Sequence, residues 1–305
     1  MRKVIGIGES ILDIIFQDNQ PIKAIPGGST FNAMVSLSRS RIPSYFISEL
    51  GMDKVGEIFR DFMNENHLNS DYIDFFQDGS SPVSLAFLDR KQNAQYQFYK
   101  NFPEKRLQIS FPKINRGDIV LVGSYFAVNP ALRKKVVELL QYASAQNAIV
   151  YYDINFRQAH AWEKERLMSH FLGNFGFASV VRCSDEDLSV LFPGYKTDEI
   201  YKKFISPYCP NFIVTQGEKE TLLFTGSFRK SYPTKPLKIV STIGAGDNFN
   251  AGIIYGMMRE ESIPENISSF EEKTWDRWMN YGQKFAGKAC ESIENYVPVG
   301  FNKTL

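Results

Sequence analysis

Residues 241–252 read STIGAGDNFNAG, three glycines around one acid ahead of an apolar helical pattern. Glycines let a backbone close on a ligand, and amides at a helix start point at whatever lies before them. The turn Gly244-Ala245-Gly246 therefore suits an anion, which leaves the carboxylate of Asp247 out of place. Two readings account for it. In the first, which a lone GAGD favours, Asp247 caps the helix. In the second, the turn amides neutralise a moving phosphoryl group while Asp247 accepts the proton of an attacking alcohol. An ordinary Asp, with a pKa of about 3.9, is too acidic to strip an alcohol beforehand, so it would orient the hydroxyl and take the proton late.

A second constellation is PGGSTFNAMVSLSR, residues 26–39, in which Gly27 and Gly28 precede a helix with Ser29 or Thr30 as its cap and Asn32 in its first turn. A primary amide donates and accepts, which suits a polyhydroxylated ligand, and it serves equally as a local backbone partner. Asp13, within GESILDII, interrupts apolar residues after the first strand. It is either an acceptor for two ligand hydroxyls or an exposed acid on a strand edge.

These residues need a frame. Short apolar, β-branched runs recur at 4–8 (VIGIG), 118–124 (DIVLVGS), 148–155 (AIVYYDIN), 178–184 (ASVVRCS) and 211–217 (NFIVTQG), each reading as a buried strand. Helical patterns lie between them, such as 130–146 with Leu132, Val136, Val137, Leu139 and Leu140 on one side. Such alternation predicts an α/β fold, a parallel sheet covered by helices. Residues 238–241 read as a strand end before the GAGD turn. VSLAFLD (83–89) and QYQFYK (95–100) flank the polar turn RKQNA and read as a hairpin, an edge extension or a lid. Residues 260–273 read as a polar connection into a last helix with Trp275, Trp278 and Phe285 on its core side.

Thirty-five Lys and Arg balance 34 Asp and Glu, so no basic field exists to hold nucleic acid or an anionic membrane. The apolar run after Arg2 and Lys3 is broken by Glu9 and Asp13, so no export signal is read, and no stretch of about 18 apolar residues offers a transmembrane helix. Cys183, Cys209 and Cys290 are far apart, with neither disulfide nor zinc spacing, which fits a reducing cytoplasm. Gly6-Ile7-Gly8 suggests a dinucleotide fingerprint, but Ile11 stands where its third glycine belongs.

GESILD, GGSTFNA, DINFR (153–157), SDEDL (184–188), VTQGEKE (214–220) and TIGAGDNFNAG together resemble, in order and spacing, the ribokinase-like or PfkB carbohydrate kinases over nearly the whole chain. The resemblance implies one domain over 1–305, a three-layer α/β/α sandwich with a small β-sheet lid from segments near 10–26 and 82–102, and ATP with Mg²⁺ as phosphoryl donor. It implies Asp247 as base, with Gly244, Ala245 and Gly246 as the anion hole. It further implies Asp13, Gly27, Gly28, Asn32 and Lys100 at the substrate, Arg157 at the substrate or a phosphate unless it is a surface arginine in a salt bridge, Thr215, Gly217, Thr242 and Asn280 at the nucleotide, and Asp187 ordering the metal through water. Ser184 stands where relatives have Asn, and Glu220 where they have Gly. Ser241 replaces an Asp in a region that helps relatives hold a monovalent cation, which weakens the expectation of activation by K⁺. The hairpin and DINFR resemble fructokinases, so the resemblance implies transfer to a primary hydroxyl of fructose, then 2-keto-3-deoxygluconate, then ribose. A homodimer through the aromatic hairpin is compatible with it. A non-catalytic sugar or nucleotide sensor is the rival from another class, motivated by Ser241 and Glu220.

Overall fold

The computed structural model describes residues 2–88, 94–237, 239–260 and 267–305. The strands are β1 Val4–Ile7, β2 Ile11–Gln17, β3 Gln20–Gly27, β4 Ser44–Gly51, β5 Asn69–Phe76, β6 Ser80–Leu88, β7 Ala94–Asn101, β8 Ile119–Gly123, β9 Ile149–Asp153, β10 Val180–Ser184, β11 Phe212–Thr215, β12 Glu220–Phe224 and β13 Arg229–Pro233. The helices are α1 Ser29–Arg39, α2 Lys54–Glu65, α3 Ser124–Val128, α4 Arg133–Ala145, α5 Lys164–Phe177, α6 Asp185–Leu191, α7 Thr197–Ile200, α8 Ala245–Arg259 and α9 Glu272–Cys290.

Nine strands form one sheet in the order β13-β12-β11-β10-β9-β8-β1-β4-β5. All neighbours pair parallel except β11-β12 and β12-β13. Each apolar run expected to be a strand is one, and period-2 alternation explains why it is apolar throughout. Ile119, Leu121, Ile149, Tyr151, Val180 and Ile213 pack into one core under α1, α2, α8 and α9. Their neighbours Val120, Val122, Val150, Tyr152, Val181 and Val214 pack into another under α3, α4, α5 and α6. A strand buried on both faces has no polar side to show, so the fold is the expected α/β/α sandwich.

The second sheet, β3-β2-β6-β7, gathers the two segments expected to form a lid. β2 pairs antiparallel with β3 and parallel with β6, and β6 pairs antiparallel with β7. The first four residues of the turn RKQNA lie outside the described residues, as do 261–266 of the connection read over 260–273.

Two expectations are corrected. Lys238 lies outside the described residues, and 239–241 are not a strand: Ile239 and Val240 are half exposed, and the Val240 amide donates to the Cys290 carbonyl at the end of α9 (2.8 Å), not to a sheet. The helix read from Pro130 begins at Arg133, because 129–133 close a turn in which the Leu132 and Arg133 amides donate to Asn129 and Pro130.

The chain leaves β1 for β4 and β5 on one side, then returns to β8 on the other, so strand order reverses at β1. In an open α/β sheet the crevice beyond the carboxyl ends at such a reversal is where ligands bind. The small sheet is inserted in two pieces, β2 and β3 after β1 and β6 and β7 after β5, both at the carboxyl ends of parallel strands and so on the side of that crevice.

Candidate active site

The crevice is built on the N-terminal end of α8. Gly244 precedes this helix with φ 77°, the left-handed region that glycine adopts without strain. Gly246 and Asp247 are in the first turn, where amides have no partner inside the helix. The Asp247 side chain caps nothing. Its carboxylate instead crosses to α1, where Ser29 Oγ donates to Oδ1 at 2.7 Å and Asn32 Nδ2 donates to Oδ2 at 2.8 Å. Asp247 is 9% exposed, and burial pushes its carboxyl up from the usual Asp range, against the pull of the Asn32 and Ser29 hydrogen bonds and of Arg157 and Arg182. The acid in the first turn of α8 thus has two oriented donors and a raised proton affinity.

Those contacts correct the reading of α1. Neither Ser29 nor Thr30 caps it: Gly28 is the capping position, with φ 125° and no side chain, and Ser29 is inside the first turn. Its hydroxyl is turned to Asp247. A Cβ at Gly28 would fall 2.1 Å from the Glu9 carbonyl, and one at Gly27 would fall 2.6 Å from Asp13 Oδ2. The glycine pair therefore lets α1 start against β2 and brings Asp13 to the same crevice.

Asp13 is on β2, an inner strand of the small sheet, and Ser84 Oγ donates to its Oδ1. Burial raises its carboxyl to about 6, the Ser84 hydrogen bond lowers it, and the Asp247 charge adds to the rise. Asn32 is 4% exposed, and its Oδ1 is buried without a partner. An unpaired buried acceptor beside the Asp247 carboxylate suits a hydroxyl that must donate.

Cross-strand register runs Asp13, Ser84, Phe98, with Ile15, Ala86 and Tyr96 one step along. The Tyr96 and Phe98 rings stack at 5.8 Å and 7°, and both are about half exposed. Burial raises the Tyr96 hydroxyl, followed by the charges of Asp13 and, oppositely, Arg157. β7 therefore looks across at the same carboxylates. Lys100, on that face too, is paired with Glu9 at 3.1 Å. Arg157 is exposed; its carbonyl accepts the His160 amide, and its side chain makes no hydrogen bond or ion pair among the described residues.

The expected nucleotide side is more dispersed. Thr215 ends β11 and its hydroxyl accepts from Arg182 Nη2 at 2.6 Å. Gly217 turns there with φ 56°. The Thr242 carbonyl accepts the Ala245 amide, closing the turn before α8. Asn280 is exposed on α9, one turn beyond Asp276, which holds Lys230 and Tyr232 of β13. Glu220 accepts from Ser231 across the β12-β13 ribbon, and Ser241 Oγ accepts the Ile243 amide at 3.2 Å.

Asp187 is turned inward. Ser184 and Asp187 cap α6 reciprocally; Asp187 Oδ2 accepts from the Ser184 amide and hydroxyl, and Oδ1 from the Phe156 amide. It is 4% exposed, with its carboxyl raised by burial. Both oxygens serve the fold, which gives no support to a water-mediated metal role. Among the described residues no cluster of three or more His, Cys, Asp or Glu is placed to hold a metal ion.

Arg182, Asp153 and Asn250 also belong to this region and were not picked out as site residues from the sequence. Arg182 is 5% exposed in the middle of β10 and pairs with Asp153 at 3.0 Å; Asp153 accepts from Asn250 of α8 at 2.9 Å. The available signal was a lone charge in the apolar run ASVVRCS, since Arg is almost never fully buried unless paired.

Known proteins agree with this architecture. Fructokinase-2 of Oryza sativa subsp. japonica is 25% identical over 285 residues, covering 88% of this chain and 84% of its own. The probable chloroplastic fructokinase-6 of Arabidopsis thaliana is 23% identical over 282 residues, covering 88% and 73%. Among solved structures, fructokinase from Vibrio cholerae O395 in its fructose-, ADP- and calcium-bound form superposes with a TM-score of 0.83 at 21% identity, over 98% of this chain and 96% of that one. Aminoimidazole riboside kinase from Salmonella enterica gives 0.82 at 18%, over 99% and 98%. The fold is thus ribokinase-like. The pfkB family of carbohydrate kinases matches residues 1–292, and the chain belongs to that family.

Proposed function

We propose that this protein is an ATP-dependent sugar kinase acting on a primary hydroxyl of fructose. The observation that carries the reading is Asp247: a buried carboxylate with a raised pKa, set by Ser29 and Asn32 at the amino end of α8 and facing the Asp13 side of the crevice. The fructokinase relatives support the choice of sugar. So does the Lys100–Glu9 pair, since a lid cation already neutralised is a poor receptor for a sugar acid.

In the reaction the acceptor hydroxyl lies against Asp247, while Asp13 and Asn32 accept hydrogen bonds from the neighbouring hydroxyls. Its oxygen bonds to the γ-phosphorus as the bond to the β-γ bridging oxygen breaks, ADP carries off that electron pair, and the hydroxyl proton passes to Asp247. Gly244, Ala245 and Gly246 supply amides to the charge that spreads over the phosphoryl oxygens. Arg157, unpaired and within electrostatic reach of Asp247, is assigned to the same phosphates. Gly217 and Thr242 are assigned beside the nucleotide, with Thr215 behind it and Asn280 near its base.

Mg²⁺ arriving with the nucleotide would neutralise phosphate charge; ions of this kind are bound largely through phosphates and water. Asp187 is not given a part in holding it. The exposed Ile22 and Tyr99 of the small sheet are proposed as a homodimer contact, testable by sedimentation. Three buried free cysteines support a cytoplasmic location, and among the described residues no helix is long and apolar enough to cross a membrane.

The test is sugar-dependent ADP release with ATP and Mg²⁺ across fructose, 2-keto-3-deoxygluconate, ribose and nucleosides, with and without K⁺. Turnover is expected on fructose foremost. Folded protein that binds sugar or nucleotide but turns over none of them would replace the kinase with a sensor.

A further inference from the structure

Arg182 is a buried charged group that this mechanism leaves unused. A buried Arg–Asp pair is weak evidence for stability, because the cost of desolvating both charges offsets their attraction, so its presence asks for another reason. The arrangement around it is specific. Nη1 donates to Asp153 at 3.0 Å, Nη2 donates to Thr215 at 2.6 Å, and Nε is buried with no partner.

The guanidinium lies directly beneath the anion-binding turn. A Cβ at Gly246 would fall 2.9 Å from Nη2 and 3.1 Å from Nη1. Gly246 has no positive φ, so its backbone does not require glycine; the space taken by Arg182 does. Asp153 lies deeper, held by Asn250 one turn further along α8. The positive end of the pair is therefore under the first turn of α8 and the negative end under the second, an orientation that adds to the field of the amides.

Resting on the kinase reading, we propose that Arg182 is a positioning residue for phosphoryl transfer: packed under Gly246, it fixes the height of the anion-binding turn and backs it with positive charge. The test is a double-mutant cycle between Gly246→Ala and Arg182→Lys, with kcat and sugar KM measured separately. Lysine keeps the charge but lacks the planar fork against which the new methyl would press. Gly246→Ala is expected to lower kcat about a hundredfold in the wild-type background, about 2.7 kcal/mol at 1.36 kcal/mol per decade, and less than tenfold in the Arg182→Lys background. Sugar KM should stay within about threefold. Arg182→Met with Asp153→Asn, which leaves no buried charge unpaired, should lose about a hundredfold in kcat, and Arg182→Lys should retain most of it.

Additive effects in the cycle, or near-wild-type kcat in folded Arg182→Met/Asp153→Asn protein, would overturn the proposal. A fall in kcat matched by a rise in sugar KM would do so as well, since that marks general loosening. If the wild type phosphorylates no sugar, the kinase reading fails, and the cycle is then read calorimetrically. A non-hydrolysable ATP analogue should weaken more than ADP in Gly246→Ala, and equal weakening would sink Arg182's role.

Discussion

Asp13→Asn separates ligand binding from folding, and the structure sets the size of both effects. A carboxyl held at about 6 in place of 3.8 is penalised on ionisation by roughly 3 kcal/mol, at 1.36 kcal/mol per pH unit. The sign follows from the direction of the shift. Below pH 3.8 the group is protonated in folded and unfolded chains alike and no penalty exists. The penalty grows between 3.8 and 6 and is complete above 6. Asn keeps the shape and an oxygen for the Ser84 hydroxyl, so the variant should gain on the wild type as pH rises through that window, reaching roughly 2–3 kcal/mol by about pH 8. At about 2 °C per kcal/mol for a chain of this size, that is roughly 4–6 °C in melting temperature. Sugar affinity should fall about tenfold or more, because an amide cannot accept from two hydroxyls as a carboxylate does. The assays are thermal melts of both proteins at pH 4, 5, 6 and 8 and sugar titrations at pH 8. A variant less stable at pH 8, or a gain that does not change with pH, would refute the assignment of Asp13 as a carboxylate strained by burial.

Asp247→Asn should remove nearly all turnover, about 10³-fold or more, with sugar affinity within a few-fold, since the amide keeps the shape and loses the proton acceptor; substantial residual kcat would take Asp247 out of the mechanism. Gly28→Ala should destabilise by roughly 3–5 kcal/mol in urea unfolding, because a methyl there meets the Glu9 carbonyl at a backbone angle that L-residues avoid. A loss under about 1 kcal/mol would mean that the close approach of Glu9 and the start of α1 is dispensable. Phe98→Ala should raise sugar KM about tenfold while leaving the melting temperature nearly unchanged, as its half-exposed ring contributes to a ligand more than to a core; unchanged KM would remove β7 from the binding surface.

The layout of the fold was legible because period-2 and period-3.6 apolar patterns are local. Runs such as 119–122 and 149–152 are apolar at every position only if both faces are covered, which already implies helices on two sides. The hairpin of 80–88 and 94–101 was legible for the same reason. Residues 239–241 misled, because β-branched residues favour extended backbone whether or not a strand edge is free to receive them.

For the site, sequence alone determined which residue types were brought together with glycine: Asp247 after Gly-Ala-Gly, Asn32 after Gly-Gly, and Asp13 among apolar neighbours. It could not determine what each of them meets. Whether Ser29 capped its helix or oriented Asp247, whether Lys100 faced a ligand or Glu9, and whether Asp187 faced solvent or sealed α6 each turn on a partner distant in the chain or on which way a side chain points. Gly246 shows the limit most clearly. The chain gives a glycine whose role looks like backbone freedom, and only the packing of β10 under α8 reveals that the space beneath it belongs to the guanidinium of Arg182. Local patterns encode propensity and burial, whereas close approach between segments about 60 residues apart is decided when the layers pack.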